Sequence, residues 1–142
     1  MILDNPNAKG KITEALVLTY MTQLGYSVST PFGDKDRYDQ IWDINGHLLR
    51  VQIKTARLNE KEKNSNNASI RFNCKSVVNG HITKYSKQEI DYFATYWDGQ
   101  VYLVPVEECS SEKVLRFTSS QPNQPSICWA KDYTVEEVIK RL

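Results

Sequence analysis

The sequence predicts an α/β or α+β domain arranged around a central sheet, and three features carry that expectation. Apolar residues at 12, 15, 16, 18, 20, 21 and 24 recur at near-helical spacing, with Gly25 as a stop. Asn45-Gly46, set between apolar-alternating segments, is the strongest short signal for a two-residue hairpin turn. Further on, Ser69 to Cys74 alternates again, with Ile70, Phe72 and Cys74 on one face and Ser69, Arg71 and Asn73 on the other.

In chain order, a helix is expected over Ile12–Leu24, followed by a short strand over Tyr26–Pro31. Phe32 to Tyr38, with its GDKD run, reads as a loop. Strands then cover Asp39–Ile44 and His47–Ala56, and the polar stretch 58–68 connects to the strand at Ser69–Cys74. Ser86 to Ile90 reads as a helical turn leading into the segment Asp91–Tyr96. Val101 to Val106 is a buried-looking strand, ended by Pro105 and acidic residues. Thr134 to Leu142 is a short helix with Thr134 as N-cap and Glu137 completing a capping box.

The length of 142 residues suits one domain with a core that needs no metal or disulfide staple. No run of about 18 apolar residues offers a membrane span. The opening MILDNPNAKGK lacks the apolar centre of a signal peptide. Cys74, Cys109 and Cys128 are odd in number and widely spaced, and with only His47 and His81 beside them they form no zinc pattern. Buried or neutral thiols in a soluble, cytoplasmic protein are expected.

A net charge of +1 hides an asymmetry. Residues 57–88 hold seven basic and two acidic side chains, a net of +5, whereas residues 89–142 hold five basic and nine acidic, a net of −4. Positive charge gathered in one central segment presents a field to a polyanion even on a near-neutral protein.

The hairpin raises a more specific question: why a strand rich in Leu, Val and Ile carries Arg50, Gln52 and Lys54 at alternate positions. With Asn45-Gly46 as the turn, Ile44 faces His47, Trp42 faces Leu49, Gln40 faces Val51 and Asp39 faces Gln52. Facing side chains lie roughly 5 Å apart at Cβ. Trp42, Ile44, Leu49, Val51 and Ile53 then form the core face, while Asp39, Gln52 and Lys54 converge at the end of the hairpin away from the turn. Asp39 and the Gln52 carbonyl oxygen are hard ligands suited to Mg²⁺. Lys54 can orient or help deprotonate an attacking water, or stand as a cation against a pentavalent phosphorane. Glu14, on the first helix one turn before Val17 and Leu18, is the candidate fourth group. The plain alternatives are an ordinary solvated hairpin face with an ion pair, and a surface glutamate favoured near a helix N-terminus.

These residues resemble the active-site pattern of the PD-(D/E)XK nuclease superfamily: a Glu on the first helix, an Asp opening one strand, and an acidic-or-Gln, any residue, Lys triplet on the next. Here those positions are Glu14, Asp39 and Gln52-Ile53-Lys54. Five blocks, KGKITEALV, the run from Gly25 to Asp39, LLRVQIKTAR, IDYFATY and VYLVPVEE, resemble more closely the small PD-(D/E)XK endonucleases associated with bacterial group I introns. They spread over roughly residues 9 to 108. The resemblance implies a restriction-endonuclease-like core, a central mixed β-sheet flanked by helices. It also implies a metal held by Asp39, Gln52, the backbone carbonyl of Ile53 and, directly or through water, Glu14, with Lys54 serving the nucleophile. The metal would be Mg²⁺, with Mn²⁺ as a substitute. Gln52 departs from the usual acidic residue; it removes one negative charge from the site while still coordinating through oxygen.

The expected DNA surface is the basic segment at about 57–88 with the loop before the hairpin. Arg57, Lys61 and Lys63 follow the catalytic strand, and Ser69, Arg71, Asn73 and Lys75 alternate as on a ribbon that enters a groove. Arg suits guanine edges, Asn suits adenine and Lys phosphate. Lys9, Lys11, Lys35 and Arg37 flank the site as phosphate contacts. Tyr85, Tyr92, Phe93, Tyr96 and Trp97 read as core or interface aromatics. One active site per chain cuts one strand, so cleavage of both calls for a homo-oligomer, a dimer at least and plausibly a tetramer, with Val101–Val106 and 127–129 as an assembly surface or as core. The expected function is a site-specific double-strand DNA endonuclease of homing type. Its alternatives are a Holliday-junction resolvase-like nuclease and a non-catalytic DNA-binding module on the same fold.

Overall fold

The computed structural model describes residues 5–33, 35–59 and 66–142. Helix α1 spans Pro6–Gln23, starting six residues before the apolar spacing does. The Asn5 side chain accepts the Asn7 N–H at 2.8 Å, and Pro6 takes the first helical position, where its missing N–H is no loss. The buried line of the helix is Thr13, Val17 and Met21, at i, i+4 and i+8, while Ile12, Leu16 and Leu18 stay exposed.

Strands β1 (Ser27–Ser29), β2 (Gln40–Ile44), β3 (His47–Ile53), β8 (Tyr92–Trp97) and β9 (Gln100–Pro105) form a five-stranded sheet in the order β1-β2-β3-β8-β9. It is the expected mixed sheet: β3 and β8 run parallel and the other neighbours antiparallel. The β2–β3 register is the one the Asn45-Gly46 turn dictates, with Gln40 opposite Val51 and Ile44 opposite His47. Asn45 (φ 53°) and Gly46 (φ 92°) are both left-handed, the signature of a type I′ turn.

Between β3 and β8 the chain leaves the sheet. It forms β4 (Arg57–Leu58), β5 (Ser69–Asn73), β6 (Lys75–Val78) and β7 (His81–Lys84). β5 lies between β4 and the later β10 (Glu112–Arg116) in a second sheet, and β6 and β7 pair only with each other. Helix α2 (Val135–Ile139) closes the order. Two cores result. On one face of the main sheet α1 and α2 cover Trp42, Leu49, Val51, Ile53 and Leu103. On the other, Phe93, Tyr102 and Val104 pack against Ile70, Phe72 and Leu115 of the second sheet.

Several expectations change. The strand expected to reach Ala56 ends at Ile53, although the Lys54 N–H still bonds the Ala94 carbonyl at 2.9 Å. Val101 to Val104 are fully or nearly fully buried within this chain, so they are core rather than an assembly surface. The capping box is half formed: Thr134 Oγ1 accepts the Glu137 N–H at 3.4 Å, but the Glu137 carboxylate turns to Lys140 at 2.9 Å. Among the described residues no helix is long and apolar enough to cross a membrane.

Candidate active site

Asp39 precedes β2, and its backbone N–H donates at 2.8 Å to the carbonyl of Val51, the residue already opposite Gln40, so the regular ladder stops at Gln40–Val51 and the expected Asp39–Gln52 pair is not part of it. That position fixes its side chain: Oδ2 accepts the Ile53 N–H at 2.9 Å. In an extended strand a residue's N–H and C=O leave on the same edge, so the Ile53 carbonyl also faces Asp39.

Gln52 lies on the same side. Its amide nitrogen donates to Asp39 Oδ2 at 3.2 Å and to the Arg37 carbonyl at 2.6 Å, and its oxygen accepts from the Tyr85 hydroxyl at 3.3 Å. Turned over, the amide would set its oxygen against two acceptor oxygens, an arrangement that requires a cation among them.

Glu14 arrives from α1. Gln40, on the buried face of β2, secures it: its amide donates to the Glu14 carbonyl at 3.2 Å and accepts the Trp42 indole N–H at 3.0 Å. The Glu14 carboxylate pairs with Lys11 at 3.4 Å, and its charge acts on Asp39 across the cleft that both residues line. Burial first, and then the nearby Glu14 charge, push the Asp39 carboxyl up to about 6, against the lowering effects of the Ile53 N–H and Lys54. The cleft measures about 440 Å³, with Lys11, Asp36 and Tyr38 at its rim.

Lys54 Nζ donates to the Lys75 carbonyl at 2.8 Å and lies 5.2 Å from the centre of the Tyr85 ring. Burial lowers its pKa, and the Asp39 charge acts against that shift. The ammonium keeps two further donors.

The structure thus gathers Glu14, Asp39, Gln52 and Lys54 at one end of the hairpin, and it separates Arg50 from them. Arg50 clamps the approach to β8 instead: its side chain pairs with Asp91 at 3.1 Å and donates to the carbonyls of Lys87 and Gln88 at 2.8 and 2.7 Å. The residues expected at DNA divide as well. Lys9, Lys11 and Lys35 are exposed, and Lys11 lines the cleft. Arg37 is engaged within the protein, stacked 4.2 Å over Tyr85, paired with Glu89 at 3.0 Å and bonded to Ser76 at 3.1 Å.

Ser69 is fully buried in the middle strand of the second sheet and offers nothing to a groove. Arg57 and Arg71 both turn to Glu112, at 3.4 and 3.7 Å. The exposed Asn73 caps the Lys75 N–H at 2.8 Å. Lys61 and Lys63 lie outside the described residues. Tyr85, read from the sequence as a core or interface aromatic, and Gln40, read only as the partner of Val51, are site residues that sequence reasoning does not place at the site. Tyr85 has no periodic neighbour to mark it, and Gln40 is indistinguishable from any other position of an alternating strand.

The donor set fits a hard divalent cation. Two facing carboxyl groups, an amide already surrounded by acceptor oxygens, and a backbone carbonyl are oxygen donors of the type Mg²⁺ takes. Among the described residues no three His, Cys, Asp or Glu gather into a metal site, because here the third side-chain oxygen belongs to an amide.

The family model for PD-(D/E)XK endonucleases matches residues 4–136. The chain belongs to the PD-(D/E)XK endonuclease family. Among solved structures it is similar to that of a bacterial homing endonuclease, I-Ssp6803I, at 23% identity and a TM-score of 0.70, over 95% of this chain and 93% of that one. No curated protein matches.

Proposed function

We propose that this PD-(D/E)XK endonuclease is a Mg²⁺-dependent, site-specific double-strand DNA endonuclease of homing type, acting as a homo-oligomer. The observation that carries the reading is that Glu14 and Asp39 line one cleft, with the Gln52 amide hydrogen-bonded to Asp39 and the Lys54 charge acting on the same carboxylate. The five sequence blocks that resemble intron-associated endonucleases, and the fold similarity to a homing endonuclease, support the homing type.

Asp39, Gln52, the Ile53 carbonyl and Glu14 would hold the cation, which supplies a lower pKa for bound water and neutralises charge growing on the phosphate. The chain's own part is positioning. Ile53 N–H fixes the Asp39 rotamer, Gln40 fixes the height of Glu14 on its helix, and Tyr85 with Arg37 holds the Gln52 amide. Hydrolysis forms a bond from a water oxygen to phosphorus and breaks one phosphodiester P–O bond. Lys54, anchored by the Lys75 carbonyl, offers its free donors to the attacking water or to the phosphoryl oxygens. Exposed Lys9, Lys11 and Lys35 stand where flanking phosphates would lie.

The test is incubation with fragmented genomic DNA and Mg²⁺, followed by sequencing of the new ends. Few, reproducible, paired ends support the reading. Cuts confined to added four-way junctions indicate a structure-selective enzyme, and no metal-dependent ends at any concentration contradict the reading.

A further inference from the structure

The β6–β7 ribbon, Lys75 to Lys84, has no role in the site geometry beyond the anchoring contacts at its base, yet its surface is unusual. Asn79 (φ 50°) and Gly80 (φ 77°) make a left-handed turn at its tip, as at Asn45-Gly46. Cross-strand partners alternate between two faces. One carries Ser76 with Thr83, both bonded to Arg37, which ties the ribbon to Tyr85 and the site. The other carries Lys75 opposite Lys84 and Val77 opposite Ile82. Val77 and Ile82 are 70% and 68% exposed, far beyond ordinary strand residues, and no acidic residue occurs between 66 and 88. At the base, the Lys75 carbonyl holds the Lys54 ammonium, so the ribbon starts at the reacting centre.

We infer that the β6–β7 ribbon enters a groove of duplex DNA beside the cut site, with Val77 and Ile82 reading thymine methyl groups and Lys75 and Lys84 gripping the flanking phosphates. The inference rests on the nuclease reading for its ligand and adds the element that sets local sequence preference. A two-stranded ribbon fits the width of the major groove, where the thymine methyl is the one apolar feature of a base edge. Charge decides for DNA over a second copy of the chain: symmetric docking on this face would press lysines against lysines, whereas phosphates complement them.

The experiment selects full-length protein on a library of random-sequence duplexes in EDTA, where no strand is cut, comparing wild type with the Val77→Ser/Ile82→Ser double variant and with Lys84→Ala. All these side chains are exposed or at a ribbon edge, and melting temperatures check that the fold persists. The expected result is that wild type enriches thymine at a fixed position and the double variant loses that preference, binding the wild-type duplex roughly tenfold more weakly. Lys84→Ala should weaken binding to all sequences alike and flatten the salt dependence by about one unit of slope. Unchanged selection and affinity in the double variant overturn the inference, as does a fall in its oligomeric mass, which would make a second copy the occupant. Adding Mg²⁺ to the selected duplexes separates the two readings. Binding without cutting defeats the nuclease and leaves the ribbon to the selection data, while no DNA binding at all defeats both.

Discussion

The Asp39 carboxylate accepts the Ile53 N–H at 2.9 Å, and this bond joins the start of one strand to the end of the next at the point where the hairpin becomes a site. It explains how an acidic residue is held half-buried next to a second carboxylate. The N–H offsets part of the cost of burial, and Glu14 and the surrounding protein supply a larger opposing push, leaving the carboxyl at about 6. The cation-free protein therefore carries electrostatic repulsion at the proposed metal site.

Asp39→Asn should relieve that repulsion while keeping an oxygen for the Ile53 N–H. At pH 7.5 without metal, the variant is expected to be more stable than wild type, on the order of 1 kcal/mol by the linkage of a raised carboxyl pKa to stability. Urea denaturation of the two proteins in EDTA checks this. A clear loss of stability would mean that the carboxylate is held by favourable partners instead.

The pH dependence follows from the same shift. A carboxyl raised above its ordinary value of 3.8 to about 6 contributes stability below pH 3.8 and loses it as pH rises through 6. A divalent cation binds the ionised form, so its stabilising effect should run the other way, small at pH 5 and large at pH 8, with uptake of metal releasing protons. Thermal melts at both pH values with and without 10 mM Mg²⁺, a concentration of roughly the size that mass action requires for a millimolar site, check the sign. A pH-independent shift would place the metal elsewhere.

Gln40 is fully occupied in a buried position, bonded to the Glu14 carbonyl and the Trp42 indole. Gln40→Leu should leave the buried Trp42 indole N–H unsatisfied, remove a second bond from the Glu14 carbonyl, and cost roughly 1–3 kcal/mol, read from denaturant midpoints. It should also weaken Mg²⁺ binding, because the helix that carries Glu14 loses its tie to the sheet.

Arg50, on β3, and Lys54, one residue past its end, separate in role. Arg50→Ala should lower stability by roughly 1–3 kcal/mol through the lost charged hydrogen bonds, with surviving protein cutting normally. Lys54→Ala should leave the metal-dependent rise in melting temperature intact, with cleavage down by about 10²- to 10⁴-fold, the range of a lost proton-transfer group. Melts and cleavage rates on both variants distinguish the two outcomes.

Which parts of the fold and site are legible in the sequence depends on which signals are local. The Asn45-Gly46 dipeptide sets both the turn and the register, so Gln52 and the buried face can be placed by counting outward, while Asp39 falls just past the last regular pair. Asn79-Gly80 carries the same signal without the same frame, since its flanking strands bury neither face and show no apolar alternation. The start of α1 is marked by the capping chemistry of Asn5 and Pro6, whereas the apolar spacing begins only at Ile12. Alternation places Ser69 on an outer face, but the folded chain buries it completely, a fact of tertiary packing that no local signal carries. Arg37 and Tyr85 likewise form their stack only once the ribbon folds back on the hairpin.

The single-turnover cleavage rate of one DNA fragment, measured with wild type, Asp39→Asn and Lys54→Ala at equal protein and Mg²⁺ concentrations, tests the proposed site most directly. Cutting by wild type that stops in EDTA and falls at least roughly 100-fold in each variant is the predicted result, since even outer-shell changes at metal sites cost 10- to 100-fold. Equal rates in all three proteins would contradict it.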